Sequence, residues 1–479
     1  MSEKELEVQR HGIMYLVSTT GITIVGFLAT MFYAHWVGAE ILGVYFLFLS
    51  YFAILGLFTD LGIGYAATQR ICSGEDQSEF FTANVTLRLF FYVIVCTVMI
   101  IFQGYFADLN NSGLLLILLA IVGISTFSSS ISVAIGASNR LGLAASVSLL
   151  NNVTRIVVQV IGVFLGFQVY GLIGGLVVGL LIELIIDLKF VDYKIRKFRW
   201  FHVKSLLSFS SWAVLISAGT ILFDNIPLIL IAYFLSVSDV GIFGVCWTFS
   251  FFALFISTAL VNTLYVKVSR WNAQKDESAI AIALSRATTY SLIFALPILT
   301  GGILLGHNLL YYLYGASFAT GATALIIIIA MGVIQSILNL YTNFLMATDH
   351  AQHAVMGILA GVSANIVLCI LLLPHIGIAG AAIGGLVNVI ISFVIARSYL
   401  GRVIPLCLEK RSIQHIILAT IVMTLALLVL GLLPLNQSSI QTIIMVIIGA
   451  AIYFAVLLKL NQQIRDDAFR TFKITWVPK

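Results

Sequence analysis

Apolar segments of about 20 residues, each long enough to cross the hydrocarbon core of a bilayer, recur along this 479-residue chain. Charged residues make up 9% of the chain, whereas a soluble domain has roughly 25% and needs them to cover its surface. The segments also lack the alternating pattern of a barrel strand, and helices satisfy their own backbone hydrogen bonds in lipid. The sequence therefore predicts an all-α polytopic membrane protein.

Fourteen spans are predicted from hydropathy, and their order determines on which side of the membrane each loop lies. The spans cover residues 12–36, 41–66, 84–106, 113–136, 143–165, 171–190, 206–234, 239–263, 285–305, 320–345, 353–374, 377–398, 412–433 and 439–459. Lys and Arg are absent from the loops of one side, which are 37–40, 107–112, 166–170, 235–238, 306–319, 375–376 and 434–438. Because loops rich in Lys and Arg stay in the cytoplasm, we expect a plasma-membrane protein (inner membrane in a Gram-negative cell) with both termini cytoplasmic.

An internal repeat divides the chain. The phrase Val37–Tyr45 joins spans 1 and 2 as Leu235–Phe243 joins spans 7 and 8, and Tyr170–Gly175 opens span 6 as Ile376–Ala381 opens span 12. Each copy has an even number of spans, so both have the same orientation, like the parallel repeats of some transporters. We expect a six-helix bundle at 1–200, a second at 201–404, and two appended helices with a tail at 405–479.

Four charged positions stand out in the predicted spans, where charges mark a pathway, a relay or a buried pair. Arg155 and Glu183 lie at similar depth in spans 5 and 6, either as an ion pair or with Arg155 facing a wet cavity that binds an anion. Asp224 is in the middle of span 7 and fits a helix–helix hydrogen bond, a cation or proton site, or a gate. Arg88, near the cytoplasmic end of span 3, can reach the headgroups.

Two polar stripes at a spacing of four residues place amides on single helix faces. One runs through span 5 and the other through span 10; their members are Asn151, Arg155 and Gln159, then Gln335, Asn339 and Asn343. Each of these side chains needs several hydrogen-bond partners, so the stripes indicate the lining of a water-filled cavity.

Catalytic and cofactor motifs are absent from the sequence. It contains no phosphate-binding Walker loop, no nucleophile elbow, no HExxH pair and no CxxC pair, which are the patterns of nucleotide hydrolysis, acyl transfer and zinc sites. His350 and His353 have the spacing of a metal pair but lack further ligands nearby. We therefore expect no enzyme activity, no cofactor, no metal and no nucleic-acid partner.

Several phrases resemble a known family. They are Val37–Tyr45, Asp60-Leu61-Gly62 with Arg70 downstream, Asp224 followed by Val240–Phe243, Tyr314–Phe318, and Gly377–Ala382. Together they resemble the Wzx-type polysaccharide flippases of the multidrug/oligosaccharidyl-lipid/polysaccharide exporter superfamily. The resemblance implies a V-shaped, MATE-like bundle that exports a polyprenyl-diphosphate-linked oligosaccharide (an O-antigen, capsule or exopolysaccharide repeat unit) to the outer leaflet by alternating access.

The resemblance also assigns roles to these residues. Guanidinium groups hold a diphosphate well, and Arg155, Arg88 and Arg286 are the candidates. The amides of the two stripes would bind the glycan, and Asp224, Glu183 and Asp60 are candidates for coupling or gating. The implied partners are the lipid-linked glycan, membrane lipid, H⁺ or Na⁺, and glycan polymerase machinery. Lipid II flippases of the superfamily carry arginines in helix 1, and span 12–36 has none.

Two other functions remain open. A cation-coupled multidrug antiporter of the same superfamily would use acidic cavity residues, and Glu183 and Asp224 are such residues. A membrane glycan polymerase or ligase belongs to a different class. Such enzymes usually need a sizeable extracytoplasmic loop, and the longest predicted outer loop, 306–319, has about fourteen residues.

Overall fold

A computed structural model describes residues 3–106, 113–137, 141–209, 211–405, 408–431 and 438–467. Within these ranges the chain forms helices and no β-strand. The first eight helices are α1 (Glu3–Asp60), α2 (Ile63–Cys72), α3 (Gln77–Ile101), α4 (Leu114–Ala137), α5 (Leu141–Phe164), α6 (Gln168–Phe190), α7 (Trp200–Phe209) and α8 (Ser211–Phe234). The others are α9 (Val237–Ala273), α10 (Glu277–Tyr314), α11 (Ala322–Ala347), α12 (Ala351–Ile376), α13 (Ile378–Val403), α14 (Lys410–Gly431) and α15 (Ser439–Leu460).

Thirteen helices of the described part are long and apolar enough to cross a membrane. This confirms a polytopic helical protein but not the predicted count of fourteen. The difference lies in α1, which contains predicted spans 1 and 2 in one helical segment. Gly38 interrupts α1 with φ 78° and ψ 177°, a conformation that glycine adopts without a steric penalty. The helix axis is therefore broken between the two predicted spans.

The chain divides into two compact units, residues 1–241 and 242–479. In the first unit, α2, α3, α4 and α7 share an apolar core that includes Ile63, Phe80, Ile131 and Leu206. This core fixes the short helix α7 against the equally short α2 and the longer helices α3 and α4. The predicted division at 200 and 404 stays a prediction.

In the second unit, the two helices that follow the predicted repeats pack on α10. Ile416 and Met423 of α14 and Tyr453 of α15 form one buried cluster with Ile293 of α10. The Tyr453 hydroxyl donates a hydrogen bond to the Ile293 carbonyl oxygen at 2.7 Å. The appended helices are thus part of the core of this unit.

Glycines bring the helices of two hairpins into backbone contact. In the α5–α6 hairpin, a Cβ on Gly162 would lie 2.7 Å from the Gly171 Cα, closer than real Cβ atoms come. In the α12–α13 hairpin, a Cβ on Gly384 would lie 2.7 Å from the Asn365 Oδ1. Small residues let membrane helices approach closely and let polar side chains bond across the interface. Each unit therefore contains a tight hairpin. An amide side chain packs against a glycine in each of them, Gln159 against Gly175 in the first unit and Asn365 against Gly384 in the second.

Candidate functional site

The amide of Gln159 is the centre of a buried hydrogen-bond network in the first unit. This residue of α5 is 2% exposed. Its Oε1 accepts a hydrogen bond from the Tyr33 hydroxyl at 3.1 Å, and its Nε2 donates to the Tyr45 hydroxyl and to the Leu172 carbonyl oxygen, both at 2.8 Å. Gly175 of α6 faces the Gln159 side chain with no room for a Cβ. The predicted cavity residue Gln159 therefore lies in a packed helix interface.

Tyr33 and Tyr45 reach the same amide from opposite sides of the break at Gly38. Twelve residues of straight helix span about 18 Å, so the change of axis at Gly38 lets both phenols converge. Tyr45 accepts its hydrogen bond from Gln159, which leaves its own hydroxyl hydrogen available for another acceptor. Sequence reasoning did not select either tyrosine, although Tyr45 ends the repeated phrase.

Arg155 lies one helical turn before Gln159 and close enough to act electrostatically on both tyrosines. Its side chain is half-buried. Nη2 donates to the Asn152 Oδ1 at 2.9 Å, and Nε is buried without an acceptor in the described part of the chain. A guanidinium with only one neutral partner retains most of its capacity to bind an anion.

Glu183 of α6 does not pair with Arg155 among the ion pairs of the described residues. It accepts a hydrogen bond from the Asn151 amide instead. One turn further on, Asp187 is buried and accepts from the Ser132 hydroxyl of α4. Sequence reasoning missed Asp187, although its spacing of four residues from Glu183 places both carboxylates on one face of α6. The α6 carboxylates and the α5 cation thus have separate, neutral partners.

Arg88 and Asp60 form a second polar pair in the first unit. The Arg88 Nη2 lies 3.1 Å from the Asp60 Oδ1, and the arginine side chain is 7% exposed. The Asp60 carboxylate also accepts hydrogen bonds from the backbone N–H groups of Gly62 and Gly64 at 3.2 and 3.1 Å. Arg88 therefore contacts a carboxylate that caps the start of α2, and its predicted reach to the headgroups stays a prediction.

Replacing Arg88 by glutamine is expected to destabilise the protein by about 1–3 kcal/mol, because the Asp60 carboxylate, which is 34% exposed, loses a charged partner that is itself buried. The two backbone donors to Asp60 keep the cost near the lower end of that range. Thermal unfolding of the purified protein in detergent measures the effect. Arg286→Gln is the matched control, because Arg286 is 55% exposed and lies 3.9 Å from Glu409, and exposed pairs contribute about 0–1 kcal/mol. Equal losses of stability in the two variants would show that the Arg88–Asp60 pair stabilises the protein no more than an exposed pair does.

The second polar stripe lies on α11 in the second unit. Asn339 donates to the Ser257 hydroxyl at 3.5 Å, and Asn343 donates to the Asn339 carbonyl oxygen at 2.8 Å. Gln335 is half-buried and has no side-chain hydrogen bond among the described residues. Within the described residues, the α11 stripe therefore keeps amide groups that have no hydrogen-bond partner.

Asp224 lies in α8 of the first unit, in the helix that contains Pro227. It is half-buried and has neither a hydrogen bond nor an ion pair within the described residues. The neighbouring Asn225 bonds its own helix, donating to the Ile221 carbonyl oxygen at 2.8 Å. An acidic group without a partner inside a membrane helix is able to exchange a proton or hold a cation.

Of the three arginines predicted to hold an anion, Arg155 is the one without a carboxylate partner in the described part of the chain, and the Tyr45 hydroxyl is bonded to Gln159 one turn further along α5. Arg88 and Arg286 each have a carboxylate partner. The described residues contain no cluster of three or more His, Cys, Asp or Glu side chains able to hold a metal. Membrane-spanning helices with charges and amides in their interfaces define a multi-pass membrane protein with an internal polar site.

The chain belongs to the polysaccharide biosynthesis protein family, whose model matches residues 34–323. A relative from the archaeon Haloferax volcanii, the probable low-salt glycan biosynthesis flippase Agl15, is 24% identical over 445 residues, which cover 93% of this chain and 94% of that protein. A second protein of the same organism, the probable flippase AglR, is 24% identical over 55% of this chain and 56% of its own length.

Among solved structures, the lipid II flippase MurJ in an inward closed conformation is similar over 93% of this chain and 98% of its own, with a TM-score of 0.72 and 16% identity. A multidrug-resistance MATE transporter of the MOP superfamily in an inward-facing conformation is similar over 80% of this chain and 95% of its own, with a TM-score of 0.60 and 14% identity. The resemblance seen in the sequence is confirmed, and the fold is that of MurJ and the MATE transporters.

Proposed function

We propose that this protein is a flippase that moves a polyprenyl-diphosphate-linked oligosaccharide from the cytoplasmic to the outer leaflet by alternating access. The observation that carries the proposal is the similarity, over 93% of the chain, to a probable glycan biosynthesis flippase. The substrate class is a complete repeat unit of a surface glycan. The oligosaccharide is polar and the diphosphate is charged, so neither crosses hydrocarbon without a protein that replaces its water.

Arg155 is our candidate ligand for the diphosphate. Its guanidinium stays charged inside a protein and binds phosphate oxygens through two parallel hydrogen bonds. In this structure its strongest partner is a neutral amide, which an anion can displace at low cost. The Tyr45 hydroxyl supplies a further donor, held in place by Gln159. A phosphate oxygen near both groups would complete the hydrogen bonds that they lack.

The amides of α11 are our candidates for contacts with sugar hydroxyls. Gln335 and Asn339 lie one turn apart on the same helix, and an amide can donate and accept at once. Sugar hydroxyls also donate and accept, so amides recognise them without the desolvation cost of a charge. Glycans of different composition could use the same amides.

Asp224 is our candidate for coupling to H⁺ or Na⁺, because it has no partner in the described structure and lies in a membrane helix. A gradient would then drive the cycle through protonation or cation binding at this carboxylate. If transport by the reconstituted protein is indifferent to every ion gradient applied, Asp224 has no coupling role.

The absence of Lys and Arg from one set of loops supports a plasma-membrane orientation with both termini in the cytoplasm. In that orientation the substrate enters from the leaflet where lipid-linked repeat units are completed and leaves toward the side where they are polymerised. Contacts with a polymerase at the outer face fit this route.

The test is reconstitution of the full chain in liposomes with a purified lipid-linked oligosaccharide. A membrane-impermeant glycosidase outside the vesicles cleaves only glycans that face outward. We expect the protein to make the inner-leaflet glycans accessible to the enzyme, while empty vesicles keep them protected. If the glycan stays protected but the vesicles export a cationic drug, the protein is an antiporter. If the glycan becomes longer, the protein is a polymerase.

A further inference from the structure

The short helix α7 and the segment before it present apolar side chains to the outside of the first unit. Ile195 is 83% exposed, Trp200 74% and Phe201 66%. We call this face, together with the cations that flank it, the connector surface. Large apolar side chains grouped on one exposed face indicate an interaction site.

The opposite face of the same segment packs against the core of the first unit. Val203 and Leu206 belong to the buried core of the unit. The His202 Nε2 lies 3.1 Å from the Asp76 Oδ2, and the Arg196 backbone N–H donates to the Thr82 hydroxyl at 3.0 Å. Because these contacts hold α7 in one orientation, Trp200 and Phe201 cannot turn inward. The structure requires some other environment to cover them.

Four cations flank these apolar side chains: Lys194, Lys197, Arg199 and Lys204, all exposed. Of the Lys and Arg residues between 194 and 204, only Arg196 has a carboxylate partner within the described structure, Glu79 at 3.7 Å. The acidic residue in the segment is Asp192, so the surface keeps a net positive charge. It combines aromatic side chains with a local excess of positive charge.

We infer that the connector surface binds the headgroups of anionic phospholipids in the cytoplasmic leaflet. Trp side chains favour the boundary between headgroups and acyl chains, and an amphipathic helix with Lys and Arg beside aromatic residues lies in that plane. Clusters of four or more cations next to a membrane helix recognise anionic lipid. The inference needs the cytoplasmic orientation of this loop and is independent of the transported substrate.

Anionic lipid at this position would hold the loop between the two predicted repeats on the membrane surface. The loop packs on α2, α3 and α4 through α7. Lipid bound to the loop would therefore restrain the cytoplasmic ends of these helices. The membrane composition would therefore influence the first unit directly.

The experiment measures quenching of Trp200 fluorescence in nanodiscs that contain the full-length protein. Bromine atoms near the headgroup end of the acyl chains are placed on phosphatidylglycerol in one sample and on phosphatidylcholine in the other, at equal mole fractions. The signal of Trp200 is the difference between wild type and Trp200→Phe. We expect brominated phosphatidylglycerol to quench Trp200 at least about threefold more strongly, because each Lys or Arg near an anionic surface strengthens binding about fivefold.

Replacing Lys194, Lys197, Arg199 and Lys204 together by glutamine should abolish this preference but retain quenching by both lipids. The matched control replaces Lys267, Arg270, Lys275 and Arg411, cationic residues outside the connector surface, and should keep the preference. Salt at about 1 M, where the screening length falls to about 3 Å, should abolish the preference in the wild type.

Two results would overturn the inference. Equal quenching of Trp200 by the two brominated lipids in the wild type would show that the surface does not select anionic headgroups. Absence of quenching by either lipid would show that Trp200 lies outside the membrane, as expected if a soluble protein covers this face. Both results come from the wild type and Trp200→Phe, so they do not depend on the folding of the fourfold variant.

Discussion

Replacing Gly43 by leucine is expected to abolish glycan export while the protein still inserts and folds. A Cβ on Gly43 would overlap the Val237 carbonyl oxygen, and a Cβ on Gly241 would overlap the Ala39 carbonyl oxygen. Helices α1 and α9 therefore touch through their backbones at this point. A leucine side chain forces the two backbones apart, and overpacking of this kind costs about 1–3 kcal/mol.

The contact is reciprocal because its two sides are copies of the repeated phrase. Gly43 and Gly241 have the same position in the phrases Val37–Tyr45 and Leu235–Phe243, and so do Ala39 and Val237. Each glycine faces the carbonyl oxygen of the residue four positions before the other glycine. In the proposed cycle, we expect this contact within residues 1–241, on the predicted outer side, to separate when the glycan leaves and to form again afterwards. Leucine at position 43 should prevent the contact from forming.

Gly56→Leu is the matched control for Gly43→Leu. Gly56 is in the same helix, but a Cβ there would meet no atom within 4 Å. Export measured by glycosidase protection should be lost in the Gly43 variant and retained in the Gly56 variant, at equal amounts of protein in the membrane. Normal export by Gly43→Leu would mean that the cycle does not need this backbone contact.

Most of the helices could be predicted from hydropathy alone. Predicted span 113–136 became α4, Leu114–Ala137, and predicted span 439–459 became α15, Ser439–Leu460. In contrast, α10 covers Glu277–Tyr314, where hydropathy indicated 285–305. The apolar pattern ends where the lipid ends, but a helix that satisfies its own hydrogen bonds can continue into water. Hydropathy therefore locates the spans and underestimates the helices.

The polar network could be predicted only in part. The α5 stripe identified Gln159, because spacing along one helix is visible in the sequence. Its partners Tyr33 and Tyr45 are 126 and 114 residues away, and this pairing depends on the break at Gly38. Arg155 and Glu183 looked like partners because their depths agree, but each bonds an amide instead. The depth of a residue in the membrane follows from its position in the apolar segment and can be read from the sequence. The direction in which its side chain points depends on how the helices pack and cannot.

Replacing Arg155 by glutamine is expected to reduce glycan export more strongly than any other single change in the α5 stripe. The guanidinium carries the positive charge of the proposed diphosphate site, and glutamine cannot bind both oxygens of a phosphate as a cation. Losing a hydrogen bond to a charged group costs about 1.5–3 kcal/mol, which corresponds to roughly a tenfold to hundredfold loss for one bond and more for a bidentate pair. Export into vesicles, measured by glycosidase protection, gives the size of the loss.

The same substitution should leave the stability of the protein unchanged or slightly raised, and this separates a binding role from a structural one. Arg155 has one side-chain partner and a buried Nε without an acceptor in the described structure, so its removal relieves an unsatisfied group. Gln159→Leu is the contrasting variant, because Gln159 makes three hydrogen bonds to Tyr33, Tyr45 and Leu172 and its loss should lower the unfolding temperature. Tyr45→Phe keeps the ring but removes a hydroxyl that accepts from Gln159 and could donate to the anion, so its export should lie between wild type and Arg155→Gln. If Arg155→Gln exports normally, or loses export only as far as it unfolds, the diphosphate does not bind at this arginine.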